Sequence, residues 1–327
     1  MARVRLMASQ PLLVRLRPWV GDVVLGVPAL RLLQERGYRL QLLGKPWARA
    51  LLAGEGWDVM PLPVVRRDRI ALLRRLRQEA QAADPTFGRR INSLLLPFSF
   101  SSALESRLAG LRSMGYAHEG RRLLLHCSLP RPRGVHELQT YWRLACELAG
   151  TPERLPPRSI ELGVDPSASA AARSRLDDAR LGPGFVMLCP FAGGTFEGRD
   201  KRWPLFPEFA RAAARTWQRP LVLCPGPKEV ESARHEFPHA TTFEGVDLGE
   251  YAALLQASAL MVSNDTGPAH LAAAVGTPLL SVLGPTDVAQ WGPWGTDVHI
   301  CQRPEPGQWP SVDDVLDAAR RILQRNV

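Results

Sequence analysis

The sequence predicts an α/β protein of two Rossmann-like units, each a parallel sheet flanked by helices, and three observations predict it. At 327 residues the chain is longer than one ordinary hydrophobic core serves. Short apolar runs alternate with helical stretches in both halves, the pattern of parallel strands joined by crossover helices. A proline-rich stretch at 150–157, followed by the Ala/Ser-rich residues 166–172, reads as the linker between the halves.

The first half opens with a strand at 12–16, a loop to Asp22, a helix to about residue 36 with Gly37 as its stop, and a second strand at 39–44. Val23, Val27 and Leu30 fall at i, i+4 and i+7, so one helical face is apolar and can pack on a sheet. Pro28 lies early enough to bend this helix rather than abolish it. The second half repeats the pattern, with strands near 185–189, 221–224, 241–243, 260–262 and 279–283 and helices such as 206–216 and 248–257 between them. A last helix, 312–324, follows the proline-rich turn 304–310. The expected domains are therefore 1–156 and 157–310, with a closing helix in 311–327 that packs back on the N-terminal domain.

Composition excludes several classes. With 45% hydrophobic and 22% charged residues the chain is neither disordered, collagen-like nor a small stapled scaffold. Cys127, Cys146, Cys189, Cys224 and Cys301 are odd in number and widely spaced, without a CxxC pair, and are expected as buried free thiols. Residues 1–20 hold only a short apolar stretch interrupted by arginines. The longest uncharged stretch, 266–286, contains three prolines and three glycines and reads as helix, turn and strand, not a membrane span. A cytoplasmic protein is expected. The net charge of +9 favours a polyanionic partner: nucleic acid, an anionic membrane face or a phosphorylated substrate. No nucleic-acid motif appears, and no aromatics interleave with the arginines.

Three segments carry chemistry. In the first, a strand runs through Ser263 and Asn264 into Asp265, Thr266, Gly267, Pro268, Ala269 and His270. Pro268 stands where a helix begins and Gly276 where it stops, so the amides of Thr266, Gly267 and Ala269 lie at a helix N-terminus, which suits a diphosphate. The same residues also fit a structural helix with Asp265 or Thr266 as its N-cap. The second runs from Pro190 through Gly193, Gly194 and Thr195 to Arg199, Lys201, Arg202 and Trp203. It follows a strand, at the sheet edge where open α/β proteins bind ligands. The glycines let backbone approach a phosphate, and Lys201 or Arg202 can neutralise leaving-group charge; a basic run is also a common solvated surface. In the third, 15–24, Asp22 heads the first helix at a strand's carboxyl end, as a general base or as a plain cap.

These segments, in this order, resemble the ADP-heptose:lipopolysaccharide heptosyltransferase family, glycosyltransferase family 9. Its members share the GT-B fold of two facing Rossmann-like domains around an inter-domain cleft. The likeness covers most of the chain and is strongest in VRLRPWVGDVVLGVPALRLL, PFAGGTFEGRDKRWPLFPEFA and VSNDTGPAHLAAAVGTPLLSVLGPTD with Gly292-Pro293-Trp294-Gly295 after it. Residues 136–144, with Tyr141 and Trp142, resemble the family's helix near the end of the acceptor domain.

The resemblance implies an inverting transfer without a metal or other cofactor, from a nucleotide-sugar such as ADP-heptose. Asp22 would take the proton of the acceptor hydroxyl. Gly193, Thr195, Lys201 and the turn Thr266, Gly267, Pro268, Ala269 and His270 would hold the donor, Asp265 its sugar, and Glu229 or Glu231 its ribose. Arg66, Arg67, Arg121, Arg122 and His136 would face the acceptor, a phosphorylated lipopolysaccharide core at the anionic inner face of the inner membrane, where the enzyme sits peripherally. An arginine-rich helix at 68–83 fits a merely solvated face equally. The absence of any Asp-x-Asp agrees with a metal-free mechanism. One departure stands out: the family's Ser-Ser-Leu-Gly-Asp is here Arg17-Pro18-Trp19-Val20-Gly21-Asp22. Other readings are a family member using another sugar or a protein acceptor, an epimerase of the UDP-N-acetylglucosamine 2-epimerase type, and a degenerate transferase acting as a scaffold. Retained Asp22, Lys201 and Asp265 argue against the last.

Overall fold

The computed structural model describes residues 10–152, 154–305 and 308–325. Residues 1–9, part of the opening stretch 1–20, and part of the turn 304–310 lie outside the described residues. The chain forms two compact units, Met1–Arg49 with Gly56–Pro157 and Ala50–Glu55 with Arg158–Val327. Within the second unit, Glu55 Oε1 accepts from Gly163 N at 2.7 Å.

The first unit holds β1 (Gln10–Arg15), β2 (Tyr38–Gly44), β3 (Asp58–Pro61), β4 (Ser93–Leu95), β5 (Ser113–Ala117) and β6 (Cys127–Pro130). They pair in parallel in the order β3-β2-β1-β4-β5-β6. In the second unit β7 (Val186–Cys189) leads into a two-stranded antiparallel hairpin, β8 (Thr195–Phe196) and β9 (Arg199–Asp200). Then come β10 (Leu221–Leu223), β11 (Thr241–Thr242), β12 (Leu260–Ser263), β13 (Leu279–Val282) and β14 (Val298–Cys301), parallel in the order β11-β10-β7-β12-β13-β14.

Both orders follow the dinucleotide-fold scheme, with the first strand of each unit at the point where the order reverses. Connections leave the two strands there in opposite directions, so loops at their carboxyl ends part and leave a crevice. Pro11–Val14 and Val186–Leu188 are buried, as strands covered on both faces must be. The helix Val20–Glu35 runs unbroken through Pro28, with Val23, Val27 and Leu30 at most 1% exposed, and packs on the helix Glu137–Leu148.

Two expectations are corrected. The closing helix Val312–Arg325 belongs to the second unit: Val315, Leu316, Ala319, Ile322 and Leu323 enter that unit's core beside Trp203, Phe206 and Phe209. Its one apolar stripe is consumed there. The Ala/Ser-rich residues 166–172 are not linker but the start of a helix, Pro166–Asp178, because Asp165 caps it by accepting from Ser167 N and Pro166 supplies a first-turn residue without an orphan donor.

The first unit contains a buried ion cluster. Glu105, fully buried, takes Arg69 through Nε at 3.0 Å and Nη2 at 2.7 Å, and also pairs with Arg15. Burial alone would raise the Glu105 carboxyl, but the two arginines outweigh it and hold it below the ordinary range. A depressed folded value means stabilisation that is present at neutral pH and lost as pH falls through it. Glu105→Ala leaves two cations unpaired and is expected to cost about 3–5 kcal/mol in a denaturant titration followed by circular dichroism. A loss below 1 kcal/mol would show the arginines find other partners.

Candidate active site

In the second unit, the loops leaving β7 and β12 are fastened together by Asn264, which is fully buried. Its Oδ1 accepts from Trp203 N at 3.0 Å and its Nδ2 donates to Pro190 O at 2.5 Å. Asn264 N itself donates to Cys189 O. One amide side chain thus satisfies one donor and one acceptor from two segments that no sheet ladder reaches. Trp203 is anchored in turn by Nε1 on Pro310 O at 3.0 Å.

This fastening brings Lys201 to Asp265. Nζ lies 2.8 Å from Asp265 Oδ2, and Thr286 Oγ1 donates to the same oxygen at 2.8 Å. Asp265 is only 9% exposed, so the pair is little screened. Thr266 is the N-cap of the helix Gly267–Ala274, its Oγ1 accepting from Ala269 N at 3.4 Å; the helix ends at Val275, and Gly276 has φ +79, a left-handed stop. The Ala269 amide is therefore engaged within the turn. The Thr266 and Gly267 amides have no partner among the described residues. His270 is buried in the same helix.

The glycine loop turns into the hairpin. Thr195 pairs with Asp200, and Glu197 and Gly198, with φ +49 and +78, make the two-residue turn that matches strand twist. Gly193, Gly194, Thr195 and Arg199 are exposed, and Arg202 pairs with Asp200, which leaves Lys201 as the basic residue of this run turned inward. Of the two ribose candidates, Glu229 lies in the loop after β10 with Oε2 accepting from Gly226 N at 2.8 Å, whereas Glu231 is exposed on the helix Val230–Glu236. The five cysteines are free as expected, but only Cys146 is buried; the others are half-buried.

In the first unit Asp22 is not a cap. Trp19 is the N-cap, and Asp22 stands in the first turn with its carboxylate directed to other elements. Tyr141 Oη donates to Oδ1 at 2.6 Å, and Arg17 Nε lies 3.4 Å from Oδ2. Tyr141 also lies 3.0 Å from Glu137 Oε1, and Arg131 Nη2 lies 3.6 Å from Glu137 Oε2. The Arg17 and Arg131 guanidinium groups lie 4.6 and 4.1 Å from the Phe98 ring centroid, cation–π contacts that hold both in place. The atypical Arg17 is thus part of the carboxylate's setting.

Two acceptor candidates are corrected. Arg121 is fully buried, donating through Nη1 to Pro97 O at 2.5 Å and Ser99 O at 3.2 Å; burial, and then Arg15, push it down to about 10. Its room comes from Gly115, where a Cβ would stand 2.6 Å from Nη2. His136 is 9% exposed and caps the helix Glu137–Leu148 by accepting from Leu138 N at Nδ1, 3.2 Å. Arg66 and Arg67, in the first turn of the helix Arg66–Ala83, and Arg122 are exposed. Sequence reasoning missed Asn264, Thr286 and Glu137 as parts of the site, although all lie within or beside the motifs it used.

The model of glycosyltransferase family 9 (heptosyltransferase) matches residues 91–315, well over half of the chain. The chain belongs to this family. It is 25% identical over 291 residues to lipooligosaccharide heptosyltransferase 2 of Haemophilus influenzae, covering 82% of this chain and 81% of that one. Lipopolysaccharide heptosyltransferase 3 of Escherichia coli is 32% identical over 150 residues, and the match spans 43% of either protein. In fold, the chain is similar to the structure of E. coli ADP-heptose LPS heptosyltransferase II, with a TM-score of 0.77, 23% identity and coverage of 96% of this chain and 99% of that one. The GT-B architecture expected from the family resemblance is therefore the architecture found. In this family 9 glycosyltransferase, Asp22 stands in the first turn of the first helix at ion-pair distance from Arg17.

Proposed function

We propose that the protein is an inverting transferase that moves a heptose from ADP-heptose to the inner core of lipopolysaccharide. The observation that carries this reading is the Lys201–Asp265–Thr286 cluster at the carboxyl ends of β7 and β12. It pairs a cation for a departing diphosphate with a carboxylate for sugar hydroxyls, next to the helix N-terminus at Thr266. The second unit binds the donor and the first the acceptor. Asp22 takes the acceptor's hydroxyl proton as that oxygen bonds to the anomeric carbon, and the bond from that carbon to the diphosphate breaks, releasing ADP. Glu229 contacts the ribose.

Acceptor contacts reduce to the exposed Arg66, Arg67 and Arg122, with Val64 at 94% and Val65 at 57% exposure just before the first two. Arginines beside exposed valines suit the anionic inner leaflet, where each basic residue contributes roughly 1 kcal/mol. The enzyme would dock there peripherally from the cytoplasm; among the described residues no helix is long and apolar enough to cross a membrane. The deciding experiment measures hydrolysis and transfer across a panel of nucleotide-sugars, with and without core glycolipid. Turnover confined to another sugar, or release of free sugar with every acceptor, rejects the assignment.

Activity is expected to survive exhaustive chelation. The chain has no Asp-x-Asp, and among the described residues no three His, Cys, Asp or Glu side chains are grouped to hold a metal ion. Transfer that vanishes with EDTA and returns with magnesium or manganese would reject this mechanism.

A further inference from the structure

Tyr141 has one phenolic hydrogen, yet its oxygen is within hydrogen-bond reach of two carboxylates: 2.6 Å from Asp22 Oδ1 and 3.0 Å from Glu137 Oε1. A phenol donates once. The shorter contact has the length of a charge-assisted O–H···O⁻ bond, so the hydrogen belongs on the Asp22 side. What remains is a phenol oxygen facing a carboxylate oxygen at 3.0 Å. Glu137 is 1% exposed and Tyr141 fully buried, so a repulsive contact between lone pairs would be costly there. A second hydrogen, carried by Glu137 itself, turns that repulsion into a bond.

We propose that Glu137 is a protonated positioning residue for the transfer reaction: it donates to Tyr141 Oη, which donates to Asp22 Oδ1. Asp22 Oδ2 is then the oxygen left to take the acceptor's proton. Arg17 Nε stands 3.4 Å from Oδ2 at ion-pair distance without a hydrogen bond, so that oxygen keeps its lone pairs. The proposal rests on the reading of Asp22 as the base.

The groups that face Glu137 come from every neighbouring element. Arg131 precedes its helix, Tyr141 shares the helix, Tyr116 lies on β5, and Asp22 and Arg17 belong to the first helix and the loop before it. Arg131, the Tyr141 hydroxyl and Arg17 favour the ionised form, whereas burial and the Asp22 charge favour the neutral one. Burial is the largest influence, and the Glu137 carboxyl is raised. When Glu137 ionises at higher pH, Tyr141's hydrogen is contested by two carboxylates and Asp22 loses its fixed donor. The rate should therefore fall on the alkaline side.

The test compares kcat–pH profiles of the full-length wild type, E137Q and Y141F, together with infrared difference spectra. In E137Q a permanent amide donor replaces the acid proton, so the alkaline limb should be lost, and kcat at neutral pH should fall less than in Y141F. Y141F cuts the chain and should lower kcat about 10- to 100-fold at every pH, the value of a hydrogen bond to a charged group. A protonated-carboxyl C=O band should be present in the wild type at neutral pH, absent in E137Q, and displaced by 13C-labelled glutamate. Absence of that band, or an E137Q profile identical to wild type, overturns the proposal. If E137Q does not fold, E137D carries the assignment: the 13C-shifted band should be lost there, where the acid is an unlabelled aspartate, and its persistence overturns the proposal. The Asp22 reading is tested separately by Asp22→Asn, where a wild-type rate would remove the base while leaving the infrared result intact.

Discussion

Asp22→Asn is expected to fold, to bind ADP as the wild type does, and to transfer sugar about 10²–10⁴ times more slowly, the usual contribution of a positioned general base. The structure makes this substitution cleaner than helix-capping logic alone would. Asp22 is in the first turn but Trp19 is the N-cap, so no capping bond is removed. Asparagine keeps the oxygen that accepts from Tyr141 Oη and loses only the negative charge near Arg17 and the helix N-terminus. Such a charge near a helix N-terminus contributes about 0.3–1 kcal/mol, so the melting temperature should move by only a few degrees. The amide accepts no proton at neutral pH, and the chemical step alone suffers. Thermal melts, ADP titration and single-turnover transfer separate these effects. Transfer at the wild-type rate would reduce Asp22 to a partner of Tyr141. His136 would then be a poor substitute, because its Nδ1 is already occupied by the Leu138 amide.

What was legible in the sequence is what local chemistry encodes. Val23, Val27 and Leu30 announce a helix face, Pro268 and Gly276 bracket the helix Gly267–Ala274, and the helix Phe206–Thr216 stands where the alternation of apolar runs and helical stretches put it. Sequence spacing does not encode which surface a face covers. The closing helix shows its stripe plainly, but that the stripe meets Phe206 and Phe209 depends on contacts made over a hundred residues away. Charges are harder still. Arg121 and Arg122 are adjacent and identical in composition, yet one is sealed over Gly115 and the other is exposed. The Glu105 cluster joins Arg15 and Arg69 from 90 and 36 positions away, and no pattern in the chain links them. The motifs placed Asp22, Lys201 and Asp265 beyond the carboxyl ends of strands, and each stands there in its own unit. Their partners Tyr141, Glu137 and Thr286 became visible only once the helices and loops that carry them were placed.

Lys201→Ala is expected to lower kcat by roughly 10²–10³, because a charge-assisted contact to the diphosphate strengthens as negative charge develops on the leaving group. In the free enzyme Nζ is held by Asp265 Oδ2, so a diphosphate must compete with that carboxylate for the same cation. Removing the lysine therefore does two things. It deletes the cation, and it leaves Asp265, 9% exposed, as an uncompensated negative charge beside an anionic substrate, with Thr286 its hydrogen-bond donor among the described residues. KM for the donor should rise along with the fall in kcat. Asp265→Asn in the Lys201→Ala background removes that repulsion, so the double variant should recover part of the KM loss and none of the kcat loss. This non-additivity is the signature of two residues acting through each other. Lys201→Arg keeps the charge but not the compact ammonium that fits between Asp265 and its surroundings, and should retain an intermediate rate. An alanine variant with unchanged kcat would move the role elsewhere in the basic run. Arg202 would first have to leave Asp200, with which it pairs at 3.3 Å, while Arg199 is already exposed.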